Sequence, residues 1–590
     1  MNALLTDWAH KGILGDEACA QVQNLLNAGE QMDDALHGGS GLAERELLEI
    51  LGREFNVPVV NLEQTVPGKE FVGQFPARLL VQHQLLPLRE EAGVVMVATN
   101  RLFDGVALDE LRLVSGREVR LVLATSEELQ RCLKSLLGVG ADTLQTLVSE
   151  AEEETIEVVD RESDEEVDLA DGAADASIIR FVNQVLAEAI ERRATDVHFE
   201  PFEDALRVRY RIDGMLQEAN IPAEVRQFQH AIVSRLKILS RLDIAEKRLP
   251  QDGRIKLKVA GREIDVRVSV IPMLHGEAVV LRLLNKAAML LGLENLGMSA
   301  KDKSLFEKVL NLPHGIVLVT GPTGSGKTTT LYAALSQINS IDQKIITIED
   351  PIEYQLRGIN QIQVSNKAGL TFARGLRSIL RHDPDVVLVG EIRDRETAEI
   401  AVQASLTGHL VFSTLHTNDA PGATTRLVDM GIEPFLVASS LEMVLAQRLV
   451  RLICPQCKES FVPTDHQALQ EEFGMKTPKV LYRGRGCRNC QGTGYFGRTG
   501  IFELMITNTA IRTQILERAS VSEIRRRAAK QGMNSLREDG WRLICEGKTT
   551  VEEVLRATKD ERLNGNGHET TAAKREDVAE TITDKAKGEI

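Results

Sequence analysis

The chain has 590 residues, of which 43% are hydrophobic and 26% are charged, and its formal net charge is −16. That length is too great for one hydrophobic core and predicts about three to five domains of a globular protein. No apolar run reaches the roughly 18–20 residues of a membrane span, and the N-terminus lacks the basic and apolar regions of a secretory signal, which predicts a cytoplasmic protein whose membrane contact is indirect or peripheral.

Negative charge is concentrated in one stretch of the chain. Residues 149–171 hold twelve acidic residues and one arginine, a net charge of −11, which leaves −5 of the total −16 for all other residues. Such a composition buries too little apolar surface to fold alone and predicts a solvated, extended linker. Outside it, no cluster of lysine and arginine forms an electrostatic footprint for nucleic acid, which counts against a DNA or RNA motor.

Hydrophobic patterns along the chain indicate an α/β protein of several domains. Helical patterns come first, strand-like runs follow near 94–100 and 118–124, and strands and helices alternate again after the acidic linker. The predicted parts are an N-terminal domain at 1–140, the linker at 141–175, a second α/β domain at 176–290, a nucleotide domain at 291–450, a cysteine-bearing insert at 451–500, a helical segment at 501–560 and a disordered tail at 561–590.

A phosphate-binding P-loop occupies residues 321–328, which read Gly-Pro-Thr-Gly-Ser-Gly-Lys-Thr. A buried strand is predicted before it and a helix after it, the context in which backbone N–H groups and a helix N-terminus hold phosphate oxygens. Lys327 is expected to reach the β- and γ-phosphates, and the Thr328 hydroxyl to ligate Mg²⁺. The predicted nucleotide-binding residues are Gly321, Pro322, Thr323, Gly324, Ser325, Gly326, Lys327, Thr328 and Thr329.

Two further apolar runs end in acidic residues. Hydrolysis of a nucleoside triphosphate needs carboxylates that hold the Mg²⁺ shell and orient the attacking water. The run 345–350 ends in Glu349 and Asp350 and is followed by Glu353, and the run 385–391 ends in Glu391. Ligands of an α/β sheet lie at the carboxyl ends of its parallel strands, so we expect these acids to converge on the P-loop. The alternative is that some of them only cap the helices that follow.

A third strand-like run, 409–416, has a histidine at each end. A single histidine is most often structural, but His416 ends a predicted strand of the same sheet, where it is placed to sense a γ-phosphate.

Four cysteines form two Cys-x-x-Cys pairs separated by 29 residues: Cys454 and Cys457, then Cys487 and Cys490. In a reducing compartment this spacing predicts a tetrahedral Zn²⁺ site rather than disulfides. Because no fifth ligand or open position is suggested, the zinc is expected to be structural.

The acidic and histidine runs resemble known motifs in combination. Residues 347–354, 380–394 and 408–419 are similar to the Asp box, Walker B and His box of the secretion ATPase superfamily, the motors of type II secretion and type IV pili. By that resemblance Glu353 is the catalytic glutamate, and Glu391 is the Walker B acid that acts through Mg²⁺. Glu349 and Asp350 would support the site, and His416 would contact the nucleotide or couple it to movement, with His409 alongside.

The domain at 176–290 carries arginines at alternate strand positions, which places them on one face. Such a face suggests a surface for phosphate, and the alternative is a solvated strand face with salt bridges. The domain resembles the N-terminal half of the same motors. That resemblance implies charge-stabilising roles for Arg267 and Arg282, with Arg209 and Arg211 near the nucleotide.

The resemblance, from about residue 45 to 558, also implies an architecture and partners. It implies a RecA-like P-loop NTPase core, a preceding PAS-like α/β domain, the zinc insert and a small N-terminal α/β domain. The implied function is that of a homohexamer that hydrolyses ATP and drives secretion or pilus assembly through an inner-membrane platform and cytoplasmic-domain proteins, without nucleic acid. The zinc insert and the long N-terminal region favour assembly over retraction, and no clear motif predicts cyclic-dinucleotide binding there.

Two other functions fit the P-loop. The runner-up is a P-loop motor that translocates nucleic acid, which the lack of a basic footprint disfavours. A nucleotide sensor that does not hydrolyse is the other, and the full set of acids argues against it.

Overall fold

The computed structural model describes residues 3–11, 13–62, 65–91, 93–137, 157–158, 172–259, 262–284, 292–475 and 478–558. The predicted linker lies outside these residues apart from 157–158 and 172–175, and the predicted tail lies wholly outside them. Contacts divide the chain into two units, Met1–Leu284 and Asn285–Ile590. The finer division into seven parts stays a prediction.

The first unit begins with short amphipathic helices that bury one apolar face, as Leu47, Leu51 and Trp8 show. A three-stranded sheet follows, with β1 (Leu86–Glu91) antiparallel to β2 (Val94–Thr99) and β2 parallel to β3 (Glu118–Leu123). The helices of this part are α1 Ala3–His10, α2 Asp16–Asn27, α3 Met32–Gly39, α4 Glu44–Glu54, α5 Lys69–Val72, α6 Ala77–Gln82, α7 Gly105–Ser115 and α8 Ser126–Leu137.

The rest of the first unit is an antiparallel sheet packed against two helices. Its strand order is β4-β8-β9-β10-β5-β6-β7, and alternate residues such as Val197, Phe199 and Val208 are buried, as expected for a sheet with one covered face. This is the predicted PAS-like α/β domain. Its elements are β4 Glu157–Val158, α9 Gly172–Glu191, β5 Asp196–Pro201, β6 Leu206–Ile212, β7 Met215–Glu218, α10 Gln229–Leu239, β8 Gln251–Val259, β9 Arg262–Met273 and β10 Gly276–Leu284.

The second unit is built on a seven-stranded sheet in the order β13-β12-β14-β15-β11-β16-β19. All neighbouring strands are parallel except β16 and β19, which pair antiparallel. The strands are β11 Gly315–Thr320, β12 Ile345–Glu349, β13 Asn360–Gln363, β14 Val386–Val389, β15 Leu410–Leu415, β16 Leu441–Ile453 and β19 Tyr495–Ile506. The helices beside them are α11 Ala300–Leu310, α12 Lys327–Ile338, α13 Phe372–Ile379, α14 Arg395–Leu406, α15 Ala420–Asp429 and α16 Pro434–Ser440.

Every residue of β11, β12, β14 and β15 is buried, because helices cover both faces of the sheet. This explains why the central strands read as continuous apolar runs rather than alternating ones. The arrangement is the RecA-like P-loop core that the sequence predicts. Its carboxyl edge, where β11, β12, β14 and β15 end, holds the residues described below.

The cysteine-bearing insert connects two long strands of the core sheet, β16 and β19. It contains the hairpin of β17 Lys458–Phe461 and β18 Leu481–Gly484 and the helix α17 His466–Phe473. Four helices close the unit: α18 Thr509–Leu516, α19 Val521–Lys530, α20 Leu536–Cys545 and α21 Val551–Ala557. Among the helices described in both units, none is long and apolar enough to cross a membrane.

Candidate active site

The P-loop connects β11 to α12, as the sequence predicts. Gly321, Gly324 and Gly326 have φ values of 146°, 80° and 89°, a region that favours glycine. A Cβ on Gly321 would lie 2.5 Å from the backbone oxygen of Gln447, and one on Gly326 would lie 2.8 Å from its Nε2 atom. The first and last glycines are therefore required both by backbone conformation and by contact with β16.

Lys327 begins helix α12 and folds back across the loop. Its Nζ atom donates to the backbone oxygens of Gly321, at 2.8 Å, and Pro322, at 3.0 Å. Burial and the nearby Arg448 lower the pKa of Lys327, although Glu391 acts in the opposite direction. Ser325 Oγ is buried in the same loop without a hydrogen-bond partner among the described residues, as expected of a loop shaped to hold phosphate oxygens.

Glu391 follows β14, and its carboxylate is 13% exposed. One oxygen lies 2.6 Å from the Arg393 guanidinium and the other 3.2 Å from His416 Nε2. Burial raises the pKa of Glu391, but hydrogen bonds and charge from Arg393 and His416 outweigh it, so the pKa lies below its ordinary value. The group is thus a carboxylate at neutral pH. Carboxylate and hydroxyl oxygens suit Mg²⁺, so Glu391 and Thr328, in the first turn of α12, are chemically fit to hold it.

The acids after β12 have different surroundings. Glu349 is 4% exposed and accepts hydrogen bonds from the Tyr332 hydroxyl, from Thr347 Oγ1 at 2.7 Å and from Gln361 Nε2 at 3.2 Å. Through these hydrogen bonds, the Glu349 carboxylate connects α12 to the end of β12. Glu353, four residues later, is half-buried in the loop after the strand. The structure therefore separates a structural acid from one that is accessible at the carboxyl edge.

His409 does not join His416, and the expectation that it lies alongside is wrong. The two residues flank β15, whose six residues span about 20 Å at roughly 3.3 Å per residue. His409 Nδ1 lies 2.9 Å from the backbone oxygen of Ala404, at the opposite edge of the sheet.

The four predicted arginines lie in the first unit, and three of them pair with acidic side chains. Arg209 pairs with Glu200 at 2.5 Å, whereas Asp196 is 3.7 Å from Arg211 and 3.0 Å from Arg282. These contacts match the salt-bridged alternative for three of the residues. The remaining one, Arg267, lies on β9 opposite Arg282 of β10. Roles for the four in phosphate binding stay a prediction.

The four cysteines come together as a compact cluster. Their Sγ atoms all lie within 4.8 Å of one another, and three of the separations are 3.7–3.8 Å. A tetrahedral zinc with Zn–S bonds of about 2.3 Å requires about 3.8 Å between sulfurs. Backbone N–H groups of Gly486 and Gly494 point at Cys457 and Cys490, at 3.3 and 3.2 Å, as donors to thiolates do. The donor set therefore fits Zn²⁺.

A cavity of about 730 Å³ lies elsewhere. It is lined by Ile341, by Lys344 and Asp385, which directly precede β12 and β14, and by Asn360, which begins β13. These positions are at the amino edge of the sheet, opposite the P-loop. The cavity is therefore separate from the nucleotide site.

Sequence reasoning missed Arg448 and Thr320 at the carboxyl edge. Thr320 ends β11 and accepts a hydrogen bond from the Thr417 backbone N–H at 2.9 Å. Arg448 lies in β16, a strand that its sequence does not mark clearly because Gln447 and Arg448 interrupt the apolar run. Nothing in the sequence near Thr320 or Arg448 indicates that these residues contact the loop after His416.

A P-loop, a Walker B acid and a histidine at one edge of a RecA-like sheet define a P-loop ATPase. The chain belongs to the type II/IV secretion system protein family, whose model matches residues 171–556, and an MshEN domain model matches residues 55–142. This confirms the resemblance. The chain is accordingly an ATPase that uses ATP with Mg²⁺.

Two relatives illustrate the similarity. The type II secretion system protein E of Pseudomonas aeruginosa is 57% identical over 394 residues, which are 67% of this chain and 78% of the relative. The type IV pilus assembly ATPase PilB of Myxococcus xanthus is 42% identical over 549 residues, 92% of this chain and 96% of the relative. Among solved structures, the pilus retraction motor PilT with bound ADP is 28% identical with a TM-score of 0.44, over 64% of this chain and 97% of PilT.

Proposed function

We propose that this ATPase works as a homohexamer at the inner face of the cytoplasmic membrane, where it powers assembly of a type II secretion pseudopilus or a type IV pilus. The observation that carries the proposal is the similarity along nearly the whole chain to a protein named as a pilus assembly ATPase, together with 57% identity to a type II secretion protein E. One name is that of a pilus assembly ATPase, and the other is that of a protein of a secretion system.

The proposed chemistry divides the work among the residues at the carboxyl edge. The P-loop N–H groups and Lys327 bind the triphosphate, and Thr328 and Glu391 hold Mg²⁺. Glu353 orients and polarises the attacking water, since it is the accessible acid beside the buried Glu349. His416, bound to Glu391, links the nucleotide state to movement of the loop that follows it.

The arginines complete the proposed site. Transition states of phosphoryl transfer carry negative charge that a cation stabilises. We assign this role to Arg267 and Arg282, with Arg209 and Arg211 near the nucleotide. In a hexamer, loosening of the pairs with Asp196 and Glu200 would release the guanidinium groups of Arg209, Arg211 and Arg282 for phosphate.

The N-terminal domain is the proposed docking element. It would bind an inner-membrane platform and cytoplasmic-domain proteins, so that membrane contact is made through partners. The zinc insert would stiffen the region between β16 and β19, through which movement passes to those partners.

A genetic experiment tests the proposal directly. The gene is deleted in its own bacterium and replaced with the wild-type gene, with Lys327→Ala, or with Arg395→Lys as a surface control. Wild type and the control should restore either surface pili or export of secreted proteins, and Lys327→Ala should restore neither. Full restoration by Lys327→Ala would contradict the proposal. Recovery of pili alone or of secretion alone identifies the machine.

A biochemical experiment separates this function from a nucleic-acid motor. Sedimentation with a non-hydrolysable ATP analogue should show hexamers, and ATP turnover should rise with purified platform proteins but not with DNA. Turnover that responds to DNA and ignores the platform proteins would overturn the assignment.

A further inference from the structure

Arg448 reaches from β16 across the end of β11. It is only 8% exposed, and its Nη2 atom donates to the backbone oxygen of Asn418 at 3.2 Å and to the side-chain oxygen of the same residue at 3.3 Å. Asn418 lies two residues after His416. The Arg448 guanidinium group therefore holds the loop that follows β15 and His416.

The same guanidinium group lies beside the P-loop. A Cβ added to Gly321 would be 3.2 Å from Arg448 Nη1, so the cation packs against the first glycine of the loop. Its charge also contributes to the lowered pKa of Lys327, after burial. Arg448 thus contacts the start of the P-loop on one side and the loop of His416 on the other.

The neighbouring residues of that loop are held by different elements. Thr417 is bound to Thr320 through its backbone N–H at 2.9 Å and its hydroxyl at 2.7 Å. Asp419 caps helix α15 through the Gly422 N–H at 2.7 Å and also binds the Arg525 guanidinium of α19. Asn418 lies between these two residues, and both its backbone oxygen and its side-chain oxygen accept hydrogen bonds from Arg448.

We propose that Arg448 is a positioning residue for ATP hydrolysis, which keeps the His416 loop in register with the P-loop through its two hydrogen bonds to Asn418. The inference rests on the proposed roles of His416 and Glu391. Both bonds to Asn418 come from Nη2, while Nη1 of the same planar group lies beside Gly321 and donates to the backbone oxygen of Gln447 at 3.4 Å. A lysine ammonium has one nitrogen and cannot occupy both places. Turnover should therefore depend on the guanidinium group, and nucleotide binding should not.

The test compares Arg448→Lys, Asn418→Ala and the double variant in the full-length protein. We expect each single variant to lower kcat on the order of tenfold or more, since small misplacements of catalytic groups have effects of that size or larger. The Kd for a fluorescent ATP analogue should stay within about threefold of wild type, and the double variant should be no worse than the poorer single variant, as for residues that act as a pair. Asn418→Asp, which keeps the side-chain acceptor, should retain most of the turnover.

A matched control uses Arg395→Lys, because Arg395 makes an exposed pair with Glu399 at 2.6 Å and should leave kcat unchanged. Wild-type kcat in Arg448→Lys would overturn the proposal, and so would effects of the two single variants that add in the double variant. If Arg448→Gln loses nucleotide affinity and Arg448→Lys keeps both affinity and kcat, Arg448 serves the phosphates by charge, and the proposal is also wrong.

These measurements use basal ATP turnover without partner proteins. A failure of the proposed role in secretion or pilus assembly would therefore leave them unaffected. If Arg448→Lys does not fold, as judged by its melting temperature, Asn418→Ala against Asn418→Asp decides the question alone.

Discussion

His416 Nε2 lies 3.2 Å from a carboxylate oxygen of Glu391, although the two residues are 25 positions apart in the chain. They come together because β14 and β15 are adjacent parallel strands, so both residues leave the sheet at the same edge. A histidine that binds a proposed magnesium ligand can report on whether that ligand is engaged. We therefore interpret His416 and Glu391 as a pair that acts together.

Removing the histidine should slow the reaction without removing the nucleotide. We expect His416→Ala to lower kcat by about 10- to 100-fold, because one hydrogen-bond donor to the site is lost. His416→Gln should lose less, since its amide can still donate to Glu391. Steady-state ATPase assays and nucleotide titrations measure both effects, with His409→Ala as control. The role of His416 would be contradicted if His416→Ala and His416→Gln turned over ATP as fast as the His409→Ala control.

The pKa of Glu391 predicts how the ATPase responds to acid. Burial alone would raise it, and Arg393 and His416 bring it below its ordinary value. Replacing Arg393 with glutamine should therefore raise the pKa, and the acid limb of the kcat/KM profile should move to higher pH. Arg395→Gln, two residues away on the surface, should leave the limb in place. An unmoved limb in Arg393→Gln would show that a different group controls it.

Much of the nucleotide site could be predicted from sequence because its chemistry is local. The P-loop, the Cys-x-x-Cys pairs and the acids that end apolar runs each depend on residues close in the chain. Leu206–Ile212 is a strand that carries Arg209 and Arg211 at alternate positions, as the sequence predicts, because alternation is also a local signal.

What sequence could not supply is the pairing of distant segments. Strands β16 and β19 pair so that Met443 lies opposite Ile506, although the whole insert separates the two strands in the chain. Nothing in either segment specifies which strand it pairs with. Arg448 gains its place beside the P-loop from the pairing of β16 with β11, another strand that is distant in the chain. The expectation for His409 failed for a different reason. It came from the family resemblance, whereas a strand between His409 and His416 already requires the two residues to lie at opposite edges of the sheet.

Zinc removal should destabilise the insert. Cys457→Ser breaks a four-thiolate set, so we expect bound zinc to fall from about one per chain to near zero, with a lower melting temperature, since metal binding and folding of such sites are coupled. Elemental analysis and thermal unfolding measure the two effects. Cys545→Ser is the control, because Cys545 is exposed and outside the cluster. Unchanged zinc content in Cys457→Ser would contradict the assigned ligands.

Glu553 holds the C-terminal helices to the core. It is 1% exposed, lies 2.8 Å from the Arg451 guanidinium and also pairs with Arg556. Burial would raise its pKa, but the hydrogen bonds and charges of Arg556 and Arg451 lower it to about 2. A shift from 4.5 to about 2 corresponds to about 3 kcal/mol of stability. Because the pKa is depressed, this stability is complete above about pH 4.5 and is lost as pH falls toward 2.

Glu553→Gln should therefore lower the melting temperature at pH 7. The difference from wild type should shrink as the pH falls below about 4.5, where the carboxylate takes up a proton in the unfolded wild-type chain but not yet in the folded one. The exposed neighbour Glu552 provides the control as Glu552→Gln, which should melt like wild type. A deficit that stays constant down to pH 3 would mean that packing, rather than charge, explains the effect.

Glu353 provides the sharpest test of the hydrolysis site, because Glu349 lies only four residues away with its carboxylate held by Tyr332, Thr347 and Gln361. Glu353→Gln keeps the size of the side chain and removes only its basicity, so kcat should fall by about 100-fold or more while ATP still binds. Glu349→Gln should instead lower the melting temperature, since an amide cannot accept all three hydrogen bonds in the same way. Turnover and thermal unfolding of both variants separate catalysis from support. Normal turnover in Glu353→Gln would show that another group activates the water.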